Sequence, residues 1–365
     1  MSAAAQTSAA GARIGGVDAA RALAVIGMLM VHVGPRGADT LAESLYNLPH
    51  GRASILFGFL AGIGMALLSG RPGKRDLARL RLGWTALVFL PLGLVLQRLD
   101  HGIAVILHHY ALFYLLGILM LGLGRRQLFA SAAILSIAGP LIYFFCKAHW
   151  PDLVERTPVE AGDTLGDIIA GLLVTGPYPL VTWSAALVWG MWVGRLDQRA
   201  PWLQRRLTIG GTIVAIVAGA LAFLLAPLVE GAGDAGDWRQ LLDGAAHSQM
   251  PLWLIGATGS AMAVTGGMLI AVRRWPDLLA PLVMLGQLAL SFYVAHLFLL
   301  HFLTDIVRHR DVGGATISVI VVSGLAMAFA VWWRRRFARG PLEALLVWPF
   351  LPALAAKPQN APRTP

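Results

Sequence analysis

Residues 18–32 read DAARALAVIGMLMVH, an apolar run carrying three polar residues, Asp18, Arg21 and His32. Ionisable side chains inside such a segment are costly in lipid and mark sites of function. Asp18 and Arg21 are three residues apart, and Arg21 and His32 are eleven apart, close to three full turns of an α-helix. All three therefore fall on one face of one helix. The stripe from Arg21 to His32 is about 16 Å long, roughly half the hydrocarbon thickness of a bilayer.

The rest of the chain is of the same kind. Of its 365 residues 57% are hydrophobic and 13% charged, and apolar runs of spanning length recur along it. Backbone groups in lipid must be satisfied within the segment, so these runs are helices; the short alternating strands of an outer-membrane barrel do not occur. The expected fold is all-α, a polytopic membrane protein with about ten transmembrane helices and both termini cytoplasmic. Hydropathy places the spans at 17–35, 53–70, 79–97, 102–123, 127–147, 178–194, 207–229, 251–271, 279–301 and 314–333. Residues 165–174 are apolar but too short to span, and read as an interfacial or re-entrant helix; 345–355, broken by Pro349 and Pro352, is ambiguous in the same way. The expected domain plan is a disordered tail at 1–12, a helical domain at 13–340 and a C-terminal segment with a tail at 341–365. The first residues lack the plan of a cleaved signal peptide. A single cysteine, Cys146, excludes an internal disulfide and any cysteine-rich metal or redox site.

Charge supports that topology. Arg71, Lys74, Arg75, Arg79 and Arg81 share one loop, and Arg125, Arg126, Arg195, Arg199, Arg205, Arg206, Arg273, Arg274 and Arg334 to Arg336 fall in others of the same parity. These are the inner loops under the positive-inside rule. Asp152, Glu155, Glu160, Asp163, Glu230, Asp234, Asp237 and Asp243 fall in the two longest outer loops. The net charge of +10 is thus mostly topology. Such residues orient the chain and meet anionic lipid; lipid is the expected partner and nucleic acid is not.

Histidines follow a different rule: all ten fall in outer loops or toward the outer ends of spans. His32 ends the first span and His50 precedes the second. His108 and His109 enter the fourth, and His296 and His301 occupy the outer half of the ninth. A neutral imidazole is a general base near neutral pH. As metal ligands the set is poor: His296 and His301 point about 140° apart on a helix, and the adjacent His108 and His109 diverge. His101, His149, His247 and His309 read as interfacial or hydrogen-bonded residues. Trp84, Trp150, Trp183, Trp202, Trp238 and Trp253 lie near span ends and read as an aromatic belt, although Trp183 follows the rigid entry Gly176-Pro177-Tyr178-Pro179. The glycines of residues 57–64 permit close helix packing.

Arg21, ten intervening residues and His32 resemble the Arg-to-His motif of type-three membrane acyltransferases. Residues 13–24, RIGGVDAARALA, look like the opening of heparan-α-glucosaminide N-acetyltransferase and its bacterial relatives. Residues 51–62 (GRASILFGFLAG), the stretch from Tyr178-Pro179-Leu180-Val181-Thr182-Trp183 to Gly194-Arg195-Leu196-Asp197, and residues 285–296 (LGQLALSFYVAH) are similar to those bacterial relatives. The resemblance runs over residues 13–340, through the order of the blocks rather than any one of them.

The resemblance implies a transferase of the bacterial inner membrane. It would take an acyl group, acetyl in the first instance, from acyl-CoA at the cytoplasmic face and pass it to a hydroxyl or amine of a glycan or amino sugar outside. Arg21 would meet a phosphate of acyl-CoA, Asp18 would orient Arg21, and no metal is expected. In the heparan enzyme the catalytic histidine sits in the loop after the first span, which here is the place of His50. In the type-three group it ends the motif, which is the place of His32. His32 is the first choice and His50 the second, with His108, His109, Trp183, His296 and His301 as further candidates. Two other readings stay open: a proton-coupled transporter or channel for a small solute, and a non-catalytic membrane partner. Acceptor identity, acyl length and oligomeric state are not written in the sequence.

Overall fold

The computed structural model describes residues 13–37, 39–70, 75–150 and 158–351. The expected tails at 1–12 and 355–365, and the loop charges Arg71, Lys74, Asp152 and Glu155, lie outside the described residues. The described residues form helices and loops, with no strand. In chain order the helices are α1 (Gly15–Val33), α2 (Leu41–Tyr46), α3 (Arg52–Ser69), α4 (Arg75–Gln97), α5 (Leu107–Met120), α6 (Arg125–His149) and α7 (Leu165–Ala170). They continue with α8 (Leu180–Gly194), α9 (Pro201–Glu230), α10 (Pro251–Arg274), α11 (Ala280–Gly286), α12 (Ala289–Val307), α13 (Val312–Arg334) and α14 (Pro341–Leu345). Eight of these, α1, α3, α4, α6, α9, α10, α12 and α13, are long and apolar enough to cross a membrane, so this is an integral membrane protein. A ninth span results if α7 with its π-helical continuation Gly171–Thr175 is joined to α8 across a 55° bend.

Two of the ten spans read from hydropathy begin later than expected, at breaks where side chains from elsewhere in the chain satisfy the backbone. The span expected at 102–123 loses its beginning: α5 starts at Leu107 and has 14 residues. Gln97 holds the preceding backbone extended, donating from Nε2 to the Ile103 carbonyl (3.1 Å) and accepting at Oε1 from the Val105 amide (2.7 Å). With those backbone groups satisfied, residues 103–105 have no call for a helix. The span expected at 279–301 breaks between α11 and α12. The amides freed at the break, those of Leu290 and Ser291, donate to the Glu343 carboxylate at 2.8 and 3.0 Å, an anion at the start of a helix. Glu343 lies on α14, so the segment beyond residue 340 completes the helical domain. Residues 165–174 form the α7 and π-helical arm of the bent pair.

Burial sorts the helices into a centre and a rim. In α1 and α3 67% of the apolar window is buried, and in α9 only 6%. In lipid the packing of a centre depends on shape rather than on hydrophobicity, and small residues bring backbones close. Here α3 and α8 meet through glycines: a methyl group added at Gly62 would strike the Leu187 carbonyl, one at Gly190 the Phe59 carbonyl, and one at Gly194 Ile63 and Ala66. On its other side α3 meets α1, where a methyl group at Gly27 would come within 3.0 Å of Ala53, and the ends of α1 and α3 border the two cavities described next.

Candidate functional site

One cavity lies at the basic end of α1, with a volume of about 990 Å³. Arg13, Arg21, Arg81, Arg195, Arg199 and Arg339 line it, against Asp18, Asp197 and Glu343. Asp18 does orient Arg21: Arg21 Nη1 donates to Asp18 Oδ1 at 2.6 Å, and Asp18 is 7% exposed while Arg21 keeps 25% of its side chain open. Gln287 of the α11–α12 break also reaches Asp18, at 3.4 Å. Arg195 is fixed by donating to the Leu121 carbonyl at 2.8 Å. The result is a broad mouth in which positive charge outnumbers negative and whose guanidinium groups are only partly engaged.

The second cavity, of about 290 Å³, lies at the other end of the same three helices. It is lined by His32 and Arg36 after α1, by His50, Gly51 and Ser54 at the start of α3, by Tyr178 before α8, by His247 and by Tyr293 of α12. Here several of the rings are held by neighbours. His32 Nδ1 lies 3.1 Å from His296 Nε2, and the two rings stack 5° from parallel with centroids 5.3 Å apart. Only one proton can occupy that N···N contact, so one ring donates and the other accepts. His296 is buried behind His32, with the Phe292 and Tyr293 carbonyls of its own helix beside its ring. Tyr293 Oη accepts from the Ile106 amide at 3.2 Å, which leaves its own O–H for the cavity.

The carbonyls at the end of α1 are met by three neighbours: that of Met30 takes a second donor besides the Gly34 amide (3.1 Å), and those of His32 and Val33 lie past the last helical donor. Tyr46 Oη donates to the Met30 carbonyl (3.0 Å), Arg308 Nε to that of His32 (3.1 Å), and the His309 amide to that of Val33 (2.8 Å). These bonds set the depth and rotation of His32.

The opposite wall is aromatic. The His247 ring packs against both Trp183 and Trp253, 5.7 Å from each and 27° from parallel, with the two indoles 5.6 Å from one another, and lies 5.4 Å from His50. His247 and Gln249 both have positive φ, 61° and 67°, a backbone that costs free energy for residues with a Cβ. The buried Gln249 holds the loop in this shape: its Oε1 accepts from Thr182 Oγ1 (2.8 Å) and from Trp183 Nε1 (2.9 Å). Gly51 at the mouth also has positive φ, and a Cβ there would come within 3.1 Å of Trp253 Nε1. Burial, followed by Arg36 and Arg52, lowers the pKa of His50, so its ring is held neutral.

Of the candidates read from the sequence, His32 and His50 line this cavity, and His296 and Trp183 form the layer behind it. Trp183 is not a belt residue: it is 1% exposed and bonded to Gln249. Trp253 is likewise buried, whereas Trp150, Trp202 and Trp238 are more than half exposed, as belt residues are. His109 stands behind Tyr178, with ring centroids 5.4 Å apart. The His108 and His109 rings do not diverge; they lie 4.5 Å apart in the first turn of α5. His301 is outside the site and contacts the Asp100 carbonyl at 3.0 Å. His101 is a structural residue: its Nε2 contacts the Leu96 carbonyl and its Nδ1 accepts from the Ile103 amide, which fixes a neutral tautomer. Among the described residues no three His, Cys, Asp or Glu side chains converge as a metal site would. His247 reads from the sequence as an interfacial residue and Tyr178 as part of a rigid span entry; Tyr293, Arg36, Arg308 and Gln249 were not singled out there. A charge inside the otherwise apolar cap after α1 was the available signal for Arg36; the others have none in spacing or periodicity.

The cavities do not merge. On α1 the lining stops at Arg21 on one side and resumes at Met28 on the other, a septum of about 10 Å. Gly58 lies at that level on α3, and within 4 Å a Cβ there would meet only Tyr110 Oη, at 3.6 Å.

Residues 191–348 match a family of proteins of unknown function, DUF418. The match covers less than half of the 365 residues. It includes His247, Tyr293 and His296 at one cavity and Arg195, Arg199 and Arg339 at the other, and leaves out α1 and α3. No curated protein matches the chain.

Proposed function

We propose that the protein moves an acyl group, acetyl in the first instance, from acyl-CoA in the basic cavity to a glycan or amino-sugar acceptor in the histidine cavity. The observation that carries this reading is that one helix, α1, ends in an arginine-lined cavity on one side and a histidine-lined cavity on the other. The six arginines suit the phosphates of acyl-CoA, with Arg21 the farthest along α1 of the lining residues and steered by Asp18. The basic cavity would then face the cytoplasm, in keeping with the positive-inside rule. The acyl arm would cross the septum past Gly58, whose missing side chain leaves the width of a methyl group in front of Tyr110 Oη.

In the histidine cavity the acceptor O–H or N–H gives its proton to His32 as its oxygen or nitrogen attacks the thioester carbonyl. The C–S bond breaks, and the proton returns from His32 to the CoA sulfur. His296 receives the other side of the His32 ring, through the contact at 3.1 Å, and keeps it oriented. Tyr293 O–H and the Arg36 guanidinium face the cavity that would hold the developing oxyanion. His50 is the second choice for the base.

The test uses purified protein in detergent and acetyl-CoA. Thermal stabilisation that saturates with acetyl-CoA, together with release of free CoA thiol when acceptor sugars are added, supports the reading. No stabilisation at millimolar acetyl-CoA, with solute flux across proteoliposomes, would establish the transporter instead.

A further inference from the structure

A third cavity, of about 570 Å³, lies on the rim away from the site, between the starts of α6 and α9 and the end of α8. Arg125 and Arg126 stand in the first turn of α6, and Arg206 near the start of α9 with its guanidinium 5.3 Å above the Trp202 ring. No carboxylate lines the cavity. Among the described residues none of the three arginines takes part in an ion pair. The start of α6 adds the positive end of a 25-residue helix.

Beneath the charges the cavity is apolar. Along α9 its wall is Leu203, Leu207, Gly210 and Val214, spaced as one helix stripe. Gly210 has nothing within 4 Å of a built Cβ, so the stripe is an open trough. From Leu203 to Val214 the trough is about 16 Å long, close to half the hydrocarbon thickness. Phe129 and Trp192, 5.5 Å apart, form the facing wall. A compact positive headgroup pocket thus sits over an apolar trough one leaflet deep.

From this complementarity of charge, polarity and length we infer that the cavity is a binding site for an anionic phospholipid. Its phosphate would lie among Arg125, Arg126 and Arg206, and one acyl chain would lie along α9 over Gly210. An annular lipid would need only the apolar wall, and a free phosphate only the arginines; the inference requires both. Basic pockets between helices at the membrane surface bind anionic headgroups, at about fivefold in affinity per arginine. The three arginines therefore give a preference of about a hundredfold over a zwitterionic lipid.

The experiment is a lipid add-back on delipidated full-length protein, read by native mass spectrometry and thermal unfolding. Phosphatidylglycerol should bind and raise the unfolding midpoint, phosphatidylcholine should need about a hundredfold more, and inorganic phosphate should do neither. The variant R125Q/R126Q/R206Q should lose the preference. G210F, which fills the trough and keeps the charges, should lose phosphatidylglycerol binding as well. Size-exclusion profiles check that both variants fold; all four positions are exposed. Equal binding of the two lipids by the wild type, or an unchanged preference in either folded variant, would overturn the inference. So would inorganic phosphate reproducing the effect of phosphatidylglycerol.

Discussion

The two ends of α1 are built on opposite principles. At the basic end six arginines line about 990 Å³, and their guanidinium groups are loosely engaged: Arg21 keeps a quarter of its side chain open beside Asp18. At the other end the cavity is less than a third of that volume, and its rings are locked by stacking, a His–His contact and three bonds to the last carbonyls of α1. Loose charge suits a flexible polyanion that arrives and leaves. Fixed rings suit a reaction in which a misplacement of about 1 Å costs about a hundredfold. Under the proposed reading the contrast divides binding from chemistry, so each end is expected to fail in its own way.

The largest effect expected is at the fixed end. His32→Ala removes the proposed base and should lower acyl transfer by about a hundredfold to ten-thousandfold, while stabilisation by acetyl-CoA is unchanged. His50→Ala should cost much less. If His50→Ala proves as damaging as His32→Ala and the latter retains transfer, the roles of the two histidines are exchanged. Loss of acetyl-CoA binding in His32→Ala would erase the division between the ends.

Gln249→Leu probes the stacking wall without touching a proposed reacting group. It leaves the buried Trp183 indole N–H without its acceptor, and the cost is about 1–3 kcal/mol of stability. Loss of the restraint on a loop held at positive φ by His247 and Gln249 adds to it. The unfolding midpoint should fall and acetyl-CoA affinity should stay. An unchanged midpoint would mean that this wall is not rigid. At the loose end Arg21→Ala should weaken acetyl-CoA binding about tenfold to a hundredfold, the range of one charged hydrogen bond, and the unfolding midpoint of the free protein should fall as well, because the buried Asp18 carboxylate loses its partner. Wild-type affinity in this variant would remove Arg21 from the phosphate site.

The same contrast explains what could be read in advance. Asp18 and Arg21 were legible because their contact is local, three residues along one helix. The contact of His32 with His296 crosses 264 positions of sequence, and hydropathy carries no record of such pairing. Helix locations followed the apolar runs; helix ends did not wherever Gln97 or Glu343 supplied backbone bonds from outside the segment. Trp183 was misread because a tryptophan at a span end has the same local sequence whether it meets headgroups or is buried against Gln249. His247 lies in a loop whose shape depends on two residues at positive φ, and nothing in its neighbours announces that.

The smallest expected effect is on the pH dependence, and it separates the fixed end by titration. Burial lowers the pKa of both His50 and His101, with Arg36 and Arg52 adding to the effect at His50 and Arg308 at His101. In the unfolded chain both protonate near the ordinary histidine value of about 6.5. Between the lowered native values and that value the unfolded state binds more protons, so stability rises with pH across the window. The contribution is complete above about pH 6.5 and is lost as pH falls through the native values. Unfolding midpoints measured from about pH 5 to about pH 8 should therefore decline on the acid side only. His50→Gln removes one titrating ring and should make that decline shallower, while Arg21→Ala should leave its slope alone. A midpoint that instead rises as the pH is lowered would mean that the protonated rings are favoured in the fold, contrary to their burial beside arginines.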